Sequence, residues 1–155
     1  MFCVNVNTMQ QFHKCAKTPL ILASCKGYVH IVELLLGEKN IEVNKADTQN
    51  GETALHCAAN KGQAEVVKLL LERDNIDIDF NTNVSNYGIT PLMQASSWNY
   101  HEVVRLFLQE SGFDVNKADH RGITALSYAS YGGHVESVQL LLDQDEIDVN
   151  IRRET

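Results

Sequence analysis

Proline is scarce in this chain, and long apolar runs are missing. Only two prolines occur, Pro19 and Pro91, and each directly follows a threonine. No apolar stretch approaches bilayer-spanning length, which excludes a transmembrane helix. The opening "MFCVNVNTMQQFHK" lacks both the basic start and the apolar run of a secretory leader. A surplus of positive charge is also absent. Net charge is -7 and the pI about 5.3, which argues against a nucleic-acid backbone or an anionic membrane as partner. The only tight basic pair is Arg152–Arg153. Four cysteines (Cys3, Cys15, Cys25, Cys57) form no CxxC and no framework spacing. Reduced thiols and a cytoplasmic location are therefore expected.

Catalytic and metal-binding patterns are missing as well. There is no GxGxxG and no GxxxxGK[ST] to cradle a phosphate. His13 with Cys15, and the adjacent His56 and Cys57, lack the converging pairs that structural zinc needs. Neighbouring helical side chains point about 100° apart, so His56 and Cys57 cannot act as a nucleophile–base pair. The acidic runs "ERDNIDID" 72–79 and "DQDEID" 143–148 lack the mid-loop glycine and terminal glutamate of a calcium loop. The chain is expected to be no enzyme, with no catalytic residue, cofactor or metal.

What is present is repetition. "TPLILASCKG" 18–27, "TALHCAANKG" 53–62, "TPLMQASSWN" 90–99 and "TALSYASYGG" 124–133 are versions of one segment. Their threonines, Thr18, Thr53, Thr90 and Thr124, lie 35, 37 and 34 residues apart. Each segment is followed by a second periodic one: "YVHIVELLL" 28–36, "QAEVVKLLL" 63–71, "YHEVVRLFL" 100–108 and "HVESVQLLL" 134–142. A short piece expected to be extended comes next ("IEVN" 41–44, "IDID" 76–79, "FDVN" 113–116, "IDVN" 147–150), then a polar turn such as "KADTQNG" or "KADHRG". Self-similarity at this period signals stacked units of two helices and a hairpin. Thr is a good helix N-cap, and proline at the first helical position costs no hydrogen bond. Gly27, Gly62 and Gly133 are expected to end the first helix in the left-handed conformation, with Asn99 as the best non-glycine substitute. Asn44, Asn116 and Asn150 read as side chains that cap the hairpin turn.

These residues resemble the ankyrin repeat, with its T-P-L-H-x-A opening; the closest copy is "GETALHCAANKGQAEVVKLLL" in the second unit. The resemblance covers roughly residues 18–150 and implies an all-α solenoid of stacked helix–turn–helix units with hairpin-like turns. Only His56 keeps the family's histidine, which bonds to the adjacent hairpin backbone; Ile21, Met93 and Ser127 replace it elsewhere. A single domain spanning 1–155 is expected, with an irregular lead-in at 1–17. Units follow at 18–52, 53–89, 90–123 and 124–150, and 151–155 starts a truncated further unit. The two-residue insertion near "NTNVSNYG" 81–88 is expected to make the third finger protrude or loosen. Ser137, standing where other units have Ile31, Val66 and Val103, hints at a polar end cap, although Val135, Val138 and Leu141 remain apolar. The sequence stops inside a turn, so a piece of a longer array is expected, with head-to-tail association of copies as the alternative.

Function is expected where residues do not repeat, because stacking does not constrain them. One stripe per unit is expected to line the concave face: Glu52, Cys57, Asn60 and Lys61, then Ile89, Gln94, Ser97 and Trp98, then Ile123, Tyr128 and Tyr131. The turn residues Gln49, Asn50, Tyr87, His120 and Arg121 would form a polar rim. Ile89, Trp98, Ile123, Tyr128 and Tyr131 form an aromatic and apolar cluster of the kind enriched in interfaces. The expected function is a non-catalytic protein–protein interaction module, and replacing Trp98 and Tyr128 by alanine is expected to weaken binding and spare the fold. Alternatives are the targeting arm of a larger multidomain enzyme or secreted effector, and a self-associating spacer.

Overall fold

Four cap threonines set the pattern of the structure, a computed structural model that describes residues 17–79 and 88–151. Thr18, Thr53, Thr90 and Thr124 are all extended, and each hydroxyl accepts the backbone N–H three residues on, from Ile21, His56, Met93 and Ser127. From these caps run the first helices of each unit: α1 (Pro19–Lys26), α3 (Ala54–Asn60), α5 (Pro91–Ser97) and α7 (Ala125–Gly132). Pro19 and Pro91 stand at their helix starts, as expected. After each first helix one residue turns left-handed: Gly27, Gly62 and Gly133, and Asn99 with φ of 57°. The second helices follow at once: α2 (Val29–Leu36), α4 (Ala64–Leu71), α6 (His101–Leu108) and α8 (Val135–Leu142). None of these four has a side-chain cap, so packing must hold them.

That packing is between units. First helices lie against first helices and second against second, with the first-helix row the more closely packed. The closeness has a cause. Ala23, Ala58, Ala95 and Ala129 occupy one position and are all buried, and a methyl side chain lets helix axes approach. Closer spacing on that side favours a row that is concave toward the first helices. One continuous core runs from Leu20 to Leu141 through Leu55, Val67, Leu70, Val104 and Phe107. Each such side chain contributes about 1.5–3 kcal/mol on full burial, and most of that arises at joints between units.

The pieces expected to be extended differ from expectation. Each runs two residues and then turns, at Val43–Asn44, Ile78–Asp79, Val115–Asn116 and Val149–Asn150, and the described residues hold one isolated bridge, Ala118 with Thr124. Asn44 and Asn116 do not cap their own turn; they reach into the next unit. Asn44 Nδ2 donates to the Asn75 carbonyl (2.7 Å), and its Oδ1 accepts from Asp77 N–H (2.9 Å). Asn116 repeats this with Glu146 (2.7 Å) and Asp148 (2.8 Å). In the second unit Asp79 stands in, accepting from Asp114 N–H at 3.0 Å. These side chains, at exposed positions, tie each unit's turn to the backbone of the next unit.

Ser137 is not an end cap. It is fully buried and donates to Asn99 Oδ1 at 3.1 Å, so it faces back into the third unit. Val66 and Val103, its counterparts, are buried as well, while Ile31 is 48 % exposed. The lead-in at 1–16, the finger residues 80–87 and residues 152–155 lie outside the described residues.

Candidate partner-binding face

Two buried aspartates organise the turns that lead into α3 and α7. Asp47 Oδ1 accepts from the backbone N–H groups of Gln49, Asn50, Gly51 and Glu52, at 2.7 Å for Asn50. Asp47 N–H in turn donates to the Glu52 carbonyl at 2.8 Å. Asp119 repeats the device with the N–H groups of Arg121 (2.8 Å) and Ile123 (2.9 Å). Its second oxygen accepts from Arg121 Nη2 (3.0 Å) and the Tyr128 hydroxyl (2.9 Å). Burial would raise both carboxyls, but the donors outweigh it and hold both below the usual carboxylate range. Tyr128 is pushed up from its ordinary value by burial and by its bond to Asp119.

Beneath the first turn lies a polar floor. Lys17 Nζ stands 3.4 Å from Asp47 and 3.7 Å from Glu52. Gln94 Nε2 donates to Glu52 Oε1 at 3.0 Å. The Cys57 thiol donates to Glu52 Oε2 at 3.8 Å and itself accepts from Lys17 at 3.6 Å. Burial outweighs the nearby Lys17 ammonium and pushes the Cys57 thiol up to about 12. Lys17 is raised despite burial, because Cys57, Glu52 and Asp47 surround it.

The expected stripe therefore divides. Glu52 and Gln94 are each 8 % exposed and Cys57 3 %, so the expectation that these three line an exposed surface is corrected: they join units below it. The reason is mutual satisfaction, since each finds its partner in the neighbouring unit or in Lys17. Ile89 and Ile123 are half-buried, as are Asn50, Asn60 and Tyr128. Tyr128 is also tied to Asp119 and Arg121, so it supports a turn as well as lining the face. Gln49, His120 and Arg121 are exposed on the turns. Tyr87 lies outside the described residues, as do His13 and Cys15. Fully presented are Trp98, 62 % exposed, and Tyr131, 97 % exposed. Lys26 is also exposed, at the position in the first unit that Lys61 and Trp98 hold in the next two. It was missed because the stripe was read from the second unit onward; applying the same offset to Thr18 finds it.

His56 and Cys57 point to different partners. His56 Nε2 lies 3.1 Å from the Ile89 carbonyl and Nδ1 2.9 Å from the Thr53 hydroxyl. A carbonyl can only accept, so Nε2 carries the proton and Nδ1 accepts. The histidine therefore bonds to the adjacent turn's backbone, as the resemblance implied. Met93 fills the same place in the third unit, its sulfur 3.4 Å from Thr90 N–H, and Ser127 in the fourth, with its hydroxyl 3.1 Å from that of Thr124.

A family model described as ankyrin repeats (3 copies) matches residues 2–83 and 76–153. The chain is an ankyrin-repeat protein. A search of curated proteins returned no match. Ankyrin repeats are generally protein–protein interaction modules, and the family is typically non-catalytic. No helix among the described residues of this ankyrin stack is long and apolar enough to cross a membrane.

Proposed function

We propose that this ankyrin stack is a non-catalytic module that holds a partner protein on its concave face, between the turns at 47–52 and 119–123 and the ends of the first helices. One observation carries the reading: Trp98 and Tyr131 stand exposed at the ends of first helices in neighbouring units. Neither is needed to stack the units, and large exposed aromatic side chains are the residue types that dominate interfaces. The contact residues proposed are Gln49, Asn50, Asn60, Ile89, Trp98, His120, Arg121, Ile123, Tyr128 and Tyr131. Glu52, Cys57 and Gln94 act beneath them. A cytoplasmic setting accords with free Cys25 and Cys57. The test is affinity capture with the wild-type chain against Trp98→Ala/Tyr131→Ala, read by quantitative mass spectrometry. Proteins retained by the first and lost from the second support the reading; identical sets from both would sink it.

End-to-end stacking is a second reading, favoured by the terminal faces. Ile31 is exposed while its counterparts Val66 and Val103 are buried. Leu142 and Val149 are exposed while Leu36, Leu71, Val43 and Val115 are buried. Apolar positions covered at internal joints are thus exposed on the first and last described units, and one end can cover the other.

A further inference from the structure

Resting on the concave-face reading, we propose that the segment held there is extended and acidic. It carries two carboxylates three residues apart, followed at the same spacing by apolar or aromatic side chains.

Charge is sorted across this molecule. None of its 20 Asp and Glu residues falls in the first-helix segments 18–27, 53–62, 90–99 and 124–133. The three carboxylates on the turn side, Asp47, Glu52 and Asp119, are buried. They are already held by backbone N–H groups and by Lys17, Gln94, Arg121 and Tyr128. The other described carboxylates lie on the second helices and the loops after them. Although the net charge is -7, no exposed carboxylate among the described residues lies on the first-helix side.

Two cations there are unengaged. Lys26 and Lys61 are exposed at equivalent positions of consecutive units. Neither makes an ion pair or side-chain hydrogen bond among the described residues, unlike Lys17, Lys45, Lys117 and Arg121. Trp98 holds the same position in the third unit, and Tyr131 lies one residue earlier in the fourth. Two ammonium groups and two aromatic rings thus form one row along the stack.

The spacing of that row selects the ligand's geometry. Packed helix axes lie about 8–10 Å apart, and an extended polyproline II segment rises about 3.1 Å per residue with three residues per turn, so side chains three apart share one face. Three residues of an extended segment therefore span one unit. Carboxylates meet Lys26 and Lys61, and apolar side chains meet Trp98 and Tyr131. A bare polyanion would leave the aromatic half of the row unused, and the remaining surface would repel it.

Random dodecapeptides displayed on phage and selected on the full chain test this. Enriched sequences are expected to carry Asp or Glu three residues apart, with an apolar residue three further along. A synthetic peptide of that sequence should lose tenfold or more in affinity on Lys26→Glu/Lys61→Glu, and less on Lys26→Gln/Lys61→Gln. Its affinity should also fall as salt rises. Circular dichroism and urea midpoints check that both variants fold; both sites are exposed. Enriched peptides without acidic pairs, or affinity within twofold of wild type in both lysine variants, would overturn the acidic assignment. If Trp98→Ala/Tyr131→Ala still weakens those peptides, the concave-face reading survives that loss. If the aromatic variant also leaves binding unchanged, or no peptide is enriched, both fall.

Discussion

Gln94 in the third unit donates a 3.0 Å hydrogen bond to Glu52, the last residue of the first, although the two are 42 residues apart. Both are buried, and Gln94 Oε1 has no hydrogen-bond partner among the described residues. Glu52→Ala therefore strands a buried amide group and takes one anion from Lys17. A loss of about 1–3 kcal/mol is expected, read as a lower urea midpoint. Adding Gln94→Leu removes the stranded amide, so the double variant should be more stable than the two single losses summed. Strict additivity would mean the bond joins nothing.

Gly62 and Gly133 are both left-handed, with φ of 66° and 69°, yet their surroundings differ. A Cβ on Gly62 would sit 2.6 Å from the Tyr100 ring, whereas one on Gly133 meets nothing within 4 Å. Gly133→Ala should cost only backbone strain, about 1–2 kcal/mol. Gly62→Ala should cost more, because Tyr100 must also move out of the joint. Equal thermal shifts for the two would contradict this. At Asn99, where the chain is left-handed without a glycine, Asn99→Gly tests the converse, provided Ser137 finds another partner for its hydroxyl.

This contrast shows how far the sequence reached. The caps, the left-handed turns and the alanine row were legible because each follows from local chemistry at a repeated position. The Asn44 and Asn116 contacts were misassigned because their partners lie about one unit away, and turn chemistry alone gives an asparagine a local role. Trp98 and Tyr131 were legible as surface residues by failing to repeat. Cys57, Glu52 and Gln94 also fail to repeat, but they are buried with partners in other units. Non-repetition alone cannot separate a joint from a binding surface; shared polar partners can.

Cys57 supplies a chemical check on that burial. Its thiol is pushed up to about 12, and the thiolate is the species that alkylates. At pH 8 its thiolate fraction should be on the order of a thousandfold below that of a free cysteine. Iodoacetamide should therefore leave Cys57 unlabelled in the folded chain and label it in guanidinium chloride, as read by peptide mapping. Rapid labelling in the native state would mean that the Lys17–Glu52 floor is open to solvent. The raised value also sets a sign. The neutral thiol's contribution is complete below its unfolded value near 8.5 and is lost as pH rises toward 12.

End faces give a measurement of assembly. Leu34 and Leu142 are exposed on the first and last second-helices. If the ends stack, light scattering should show mass rising with concentration, and Leu142→Glu should return the chain to monomer. The exchange should leave the urea midpoint within about 0.5 kcal/mol of wild type, as for exposed sites. Concentration-independent monomer mass in the wild type would remove the end-to-end reading and leave the concave face untouched.

Asp119 and Asp47 are expected to set the acid limit of the fold together. The Asp119 carboxylate gathers the N–H groups of Arg121 and Ile123, the Arg121 guanidinium and the Tyr128 hydroxyl. Those donors hold its folded value below the ordinary range, despite burial. A depressed carboxylate stabilises the fold above its unfolded value, about 3.9, and loses that contribution as pH falls through the folded value. Asp47 is lowered too and adds to the same edge. Stability should therefore be level from neutrality down to about pH 5 and fall steeply below about pH 4. Asp119→Asn keeps one acceptor oxygen but no charge, so it should cost about 1–3 kcal/mol at pH 7 and flatten the acid limb only in part, because Asp47 remains. Tyr128, raised by burial and by its bond to Asp119, works in the other direction: its contribution is present below about pH 10 and lost above it. Urea titrations of wild type and Asp119→Asn between pH 3 and 8 decide the point. An acid limb unchanged in the variant would mean that the turn at 119–123 is held by something other than this carboxylate.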